Sequence, residues 1–137
     1  MPMTGSDELP DRSDVELRLP AQGVYVSVLR TTTAGLAARL DFTLDDIEDL
    51  RMAVGEAAAL VLEAASPESD LQARFWLGDR VITVTVDAAV DGPVSVDEDS
   101  FAWQVLTTLA TSAEVTNTAG RLAITLVVQA TPLEAAL

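Results

Sequence analysis

The sequence has no cysteine, no histidine and no lysine in its 137 residues. Each absence removes a class of chemistry. Without cysteine there is no thiol nucleophile, thiolate metal site or redox pair. Without histidine there is no imidazole base and no Ser-His-Asp triad, and zinc sites built from Cys and His are excluded as well. Without lysine there is no Walker-type phosphate-binding residue, because all eight basic side chains are arginine. Aromatics make up only 4% of the chain. No apolar run reaches the roughly 18 residues of a membrane span. Met1 to Ser13 is polar and acidic, with no apolar segment of signal-peptide type.

What the chain has in excess is acid. Twenty-two Asp and Glu give a formal net charge of −14. Phosphate contacts require a basic patch, so nucleic acid and anionic membranes are not expected as partners. The composition instead suggests a cytoplasmic protein that binds other proteins. A chain of this length usually makes one domain and buries roughly two-thirds of its unfolded surface, which is enough without a disulfide or a metal.

Residues 1–13 carry Pro2, Gly5, Pro10 and several acids and are read as a disordered tail. Val15 to Leu19 alternates apolar and charged residues, the period of a half-buried strand, and Pro20 stops it. Gly23 to Leu40 is predicted as a helix whose buried stripe is Tyr25, Val28, Leu29, Thr32, Leu36 and Leu40. Its opposite face offers Ser27, Arg30, Thr31, Ala34 and Ala38. That face is small and almost uncharged, which suits either an ordinary solvent face or a partner surface with Arg30 as its directed charge.

A second helix starts at Thr43, whose hydroxyl can cap the first turn while Asp45 and Asp46 complement the helix dipole. Its buried stripe is read as Ile47, Leu50, Val54, Ala58, Val61 and Ala65. Asp49, Met52, Ala53, Glu56, Leu60 and Glu63 lie on an adjoining face, and Ser66-Pro67 ends the helix. Strands Leu71 to Leu77 and Val81 to Asp87 form a hairpin about Gly78-Asp79. Ala88 to Ser100 is read as a loop, and Phe101 to Ser112 as a third helix capped by Ser100 or Asp99, with Phe101, Val105 and Leu109 as its stripe and Trp103 and Leu106 adding apolar area. Strands Glu114 to Thr118 and Leu122 to Val128 turn at Ala119-Gly120, and residues 131–137 form a short tail. The order β-α-α-β-β-α-β-β predicts an α+β fold, a two-layer sandwich of a mostly antiparallel sheet and three helices, in a single domain over residues 14–130.

Residues 24–65, strongest at Tyr25 to Arg30 and Asp46 to Ala57, resemble RsbW-type anti-sigma factors of the histidine-kinase-like (GHKL, Bergerat-fold) ATPase superfamily. The resemblance extends over about residues 15–128, and Ser100 to Leu106 looks like a degenerate actinobacterial branch. It implies the Bergerat fold. It also implies binding of an alternative sigma factor of stress or sporulation type, release by a STAS-domain antagonist, and a homodimer. In this family an acidic base and a magnesium-binding Asn stand four residues apart on the second helix. Glu56 matches the base, but Leu60 occupies the Asn position and Ala64 a later His position. The family's adenine-reading Asp corresponds to Asp87, while both glycines of that motif are lost, as in Asp87-Ala88-Ala89-Val90-Asp91. Phe101 and Trp103 stand where glycine-rich backbone would face phosphates, and Asp97, Glu98 and Asp99 precede them.

The resemblance with these departures implies an anti-sigma factor without kinase activity, with Glu56 and Asp87 as vestiges of a base and an adenine contact. The sigma-binding residues it implies are Arg30, Ser27, Thr31 and Ala34. No metal and no cofactor are expected. Two alternatives stay open: an active serine kinase using ATP and Mg²⁺, with Glu56 as base, and a non-catalytic interaction module with another partner.

Overall fold

The computed structural model describes residues 9–132. Five strands form one sheet: β1 (Val15–Pro20), β2 (Asp70–Gly78), β3 (Val81–Ala89), β4 (Ser112–Thr118) and β5 (Arg121–Gln129). Their spatial order is β1-β2-β3-β5-β4, and every neighbouring pair is antiparallel. Three helices complete the second layer: α1 (Val26–Arg39), entered through a short 3-10 turn at Gly23–Tyr25, α2 (Leu44–Ala64) and α3 (Phe101–Leu109). This is the α+β sandwich that the order of apolar periods predicts.

The two-residue period places Leu71, Ala73, Phe75, Ile82, Val84, Val86, Ala88, Leu122, Ile124 and Leu126 on the helix-facing side of the sheet, all at most 2% exposed. They pack with Leu29, Leu50, Val54, Val61 and Leu106 from the helices. The alternate residues Gln72, Arg74, Trp76, Thr85, Asp87 and Thr125 face the other side, which carries no helix. There the segment holding Leu9, Pro10 and Asp11 borders a cleft of about 510 Å³. Trp76 Nε1 donates to the Pro10 carbonyl at 3.0 Å, so residues 9–13 lie against β2, where the sequence suggests a tail. The rest of that tail, residues 1–8, and residues 133–137 fall outside the described residues.

Local sequence explains most boundaries. Thr43 caps α2 by accepting from the Asp46 N–H at 3.1 Å, and Ser100 caps α3 by accepting from the Trp103 N–H at 3.2 Å. The β4–β5 turn uses Ala119 and Gly120, both at positive φ (51° and 74°), the signature of a two-residue turn whose twist matches the strands. The β2–β3 loop is Asp79-Arg80, one residue later than the sequence suggests, because Gly78 pairs with Val81. Arg80 takes positive φ (56°) there, and its guanidinium donates to the carbonyls of Asp41 and Thr131.

Several expectations are corrected. Of the expected α1 stripe, Leu29 is fully buried and Leu36 and Leu40 pack half-buried against the core, but Val28 is 42% exposed, and Thr33 and Ala37 are buried in addition. Thr33 tolerates full burial because its hydroxyl donates to the Leu29 carbonyl at 2.8 Å. On α2, Ala53 and Leu60 join the core. β3 runs on to Ala89, and Val90 bridges Ala65, so the loop is shorter than expected. α3 ends at Leu109 rather than Ser112. Its buried residues are Trp103 and Leu106, while Phe101 is 82% exposed.

One polar tie joins the layers. Asp46, in the first turn of α2, accepts from both the N–H and the hydroxyl of Thr131, each at 2.8 Å. Burial alone would raise the Asp46 carboxyl, but hydrogen bonds from Thr131 and Thr43 outweigh it and hold the group below the ordinary carboxylate range. A carboxyl depressed on folding contributes stability above its unfolded pKa of about 3.9, and that stability is lost as pH falls through the folded value. Asp46→Asn is therefore expected to lower Tm at pH 7, with the deficit closing once the pH is below the folded pKa. Thermal melts across pH check this, and a deficit independent of pH would contradict it.

Candidate functional site

α1, like α3, has no acidic residue. Its 14 residues carry only Arg30 and Arg39 as charges, in a chain with 22 acids. Ser27, Arg30 and Thr31 are exposed and Ala34 is half-buried, so the four expected sigma-contacting residues share the outer side of this helix. Ser27 is turned back on its own chain, with its hydroxyl 3.4 Å from the Val24 carbonyl.

Arg30 sits at the edge of the strip nearest α2. A Cβ built on Gly55 would lie 3.2 Å from Arg30 Nη1 and 3.3 Å from its Cδ. The missing side chain at Gly55 is therefore the space across which Arg30 lies. Among the described residues Arg30 makes no ion pair. Val24 (74% exposed) and Val28 extend the strip with apolar surface that the sequence reading missed. For Val24 the 3-10 turn is the reason: its three residues per turn shift the phase ahead of α1, and its only advance sign is Gly23 after a proline-stopped strand.

Gly55→Ala separates structure from function at this position. Alanine favours a helix interior by about 1 kcal/mol over glycine. The exposed Arg30 side chain can yield a few tenths of an ångström. The substitution is expected to raise Tm by a few degrees while displacing the guanidinium and weakening whatever binds it. A lower Tm would mean that Arg30 cannot yield.

The second place is a hollow of about 810 Å³ between the C-terminal half of α2, residues 94–97 and the start of α3. Leu60, Ala64, Val94, Val96, Ala102 and Leu122 supply apolar walls, and Glu63 and Asp97 are its only charged residues. Asn117 Nδ2 donates to the Val94 carbonyl, which ties the loop to β4. Leu60, at the family's Asn position, thus lines the hollow, though it is only 7% exposed. The lining does not fit a magnesium triphosphate. Its side chains include no arginine and no asparagine or glutamine, and its two carboxylates repel phosphate. Among the described residues no group of three or more Asp or Glu is placed to share a metal.

Glu56, one turn before Leu60, is half-buried on α2. Arg51, on the same helix, pairs with Glu48 at 3.0 Å. Asp87 is on the other side of the sheet, 4% exposed. Its Oδ1 accepts from Arg121 Nε at 3.1 Å and from Arg121 Nη2, while Oδ2 is buried without a partner. The structure therefore brings Ser27, Arg30, Thr31 and Ala34 together but separates Glu56 from Asp87 by the thickness of the sheet. The Asp87–Arg121 pair was missed because it depends on β3 lying beside β5, which sequence order alone does not give.

Comparison with known proteins adds kinship. The chain is 33% identical over 93 residues to a serine-protein kinase RsbW of Bacillus cereus, and 41% identical over 93 residues to one of Bacillus thuringiensis. Each alignment covers 66% of this chain and 56% of the relative, so the chain spans about half the length of the curated relatives it matches. In three dimensions it is similar to the crystal structure of the RsbU and RsbW domains of Rv1364c from Mycobacterium tuberculosis. The TM-score is 0.64 at 17% identity, covering 85% of this chain and 31% of that one. No family model matches. The resemblance to RsbW proteins is thus carried by sequence and by fold. No helix among the described residues is long and apolar enough to cross a membrane.

Proposed function

Proceeding from an RsbW-like sequence and an RsbW-like fold, we propose that the chain is an anti-sigma factor that works by sequestration. It binds an alternative sigma factor, of stress or sporulation type, through the outer side of α1. A STAS-type antagonist releases the sigma factor by competition rather than by being phosphorylated. The chain acts in the cytoplasm, as a homodimer and without a cofactor.

The observation that carries this reading is Arg30. It is an exposed guanidinium, unpaired among the described residues, supported over Gly55 and set in a helix that carries arginine and no acid, in an acidic molecule. Such a group forms a forked, charge-assisted pair with a partner carboxylate at little cost, because it gives up no internal pair. The lack of a cationic side chain and of an Asn at position 60 in the hollow supports the second half of the reading. Calorimetric titration with ATP and Mg²⁺ tests that half. The expected result is no heat up to millimolar nucleotide, and micromolar, magnesium-dependent binding would overturn it.

Such binding would favour a second reading, an active serine kinase. The name of the relatives and the retention of Glu56 speak for it. Transfer of labelled phosphate to a STAS-type protein, abolished by Glu56→Ala, would establish that reading.

A further inference from the structure

Phe101 is one of the two most exposed large apolar residues in the described structure, at 82%, yet it stands on a helix with a well-packed inner side. It borders two hollows. One is the cavity beside Leu60 and Ala64. The other, about 310 Å³, lies between α2 and α3 and is lined by Met52, Gln104, Val105, Thr108 and Leu109 as well as Phe101. Together they make an open apolar groove along the α2–α3 seam. It runs from Met52 to Ala64, about 18 Å at 1.5 Å per residue, or three turns of a helix. Met52 is itself 54% exposed.

Charge singles out the occupant. Neither hollow is lined by any basic residue. Glu63 and Asp97 are in the lining, and Glu98 and Asp99, both exposed, stand just before Phe101. An apolar floor of this length with an acid-only rim is complementary to a helix with apolar anchors three and four residues apart and arginine or lysine on its flanks. It repels phosphate, nucleic acid and anionic lipid.

We propose that the α2–α3 groove is a second docking surface, for a basic amphipathic helix of a partner protein. It is distinct from the α1 face, since Arg30 lies on the opposite flank of α2, over Gly55. Phe101 is the anchor that inserts between the partner's apolar side chains, and Glu63 and Asp97 hold its cations. The groove and the α1 face can then engage two segments at once, which raises avidity without further contacts.

The test uses the full chain and a synthetic leucine–lysine helical peptide of about 18 residues. Two controls accompany it: a scrambled peptide of equal charge, and a leucine–glutamate peptide. Amide shifts are followed by NMR at about 0.15 M salt, where long-range attraction is screened. The expected result is saturable binding of the leucine–lysine peptide alone, with shifts confined to residues 52–64 and 94–109. Phe101→Ser and, separately, Glu63→Lys with Asp97→Lys should weaken it at least about tenfold. All three substituted side chains are exposed, so the amide spectrum should otherwise be retained. Arg30→Glu should not weaken it, which separates failure of this proposal from failure of the sigma-binding reading. Equal binding of the scrambled peptide, shifts elsewhere, unchanged affinity in Phe101→Ser, or no binding would each overturn the proposal.

Discussion

On the proposed sequestration through α1, replacing Arg30 by glutamate is expected to weaken binding to the sigma factor by about 2 kcal/mol or more, roughly thirtyfold. The melting temperature should hardly change. The size follows from reversing the sign of a directed charge: the partner carboxylate loses its fork of donors and meets a like charge instead. Stability is spared because Arg30 makes no ion pair among the described residues and is exposed. Arg30→Lys should lose part of the affinity, since a single ammonium cannot donate the parallel pair of hydrogen bonds. Titration of each variant, with thermal melts as the control, checks this. Equal affinity in Arg30→Glu would remove Arg30 from the interface.

The second large effect concerns the fold rather than the interface. Arg121→Ala is expected to cost about 3 kcal/mol, the low end for breaking a buried pair, because the arginine side chain is 46% exposed. For a domain of this size that is a fall in Tm of about 10 °C. The cause is the carboxylate left behind. Asp87 is 4% exposed, one of its oxygens already has no partner, and without Arg121 the other would have none. Asp87→Asn removes that charge, so the double variant Asp87→Asn, Arg121→Ala should be markedly more stable than the sum of the two single costs implies. Simple additivity in a double-mutant cycle would show that the pair is not what holds this side of the sheet.

The fold was legible where a period or a cap stated it. Thr83, Thr85 and Asp87 alternate with Ile82, Val84 and Val86, and the two sets face opposite sides of the sheet as expected. Thr43 and Ser100 cap the helices that they announce. α1 was harder because bulk is a poor guide to its phase. Small Thr33 and Ala37 are fully buried while Val24 and Val28 face outward. On α3 the regular stripe Phe101, Val105 and Leu109 is not the buried one: the helix packs mainly on α2 and buries Trp103 and Leu106. The candidate site was half legible. A nearly uncharged helix face with one arginine can be read from the residues alone. The support of Arg30 by Gly55 and the pairing of Asp87 with Arg121 depend on contacts 25 and 34 residues apart in sequence. No local pattern encodes such contacts.

The most direct test of the account is a titration of the purified chain with candidate alternative sigma factors, in the absence of nucleotide and again with ATP and Mg²⁺. Sequestration through the α1 face predicts a tight complex with one of them, equally strong under both conditions and lost in Arg30→Glu. Binding that requires magnesium and ATP, or stable association only with a protein that is not a sigma factor, would contradict it.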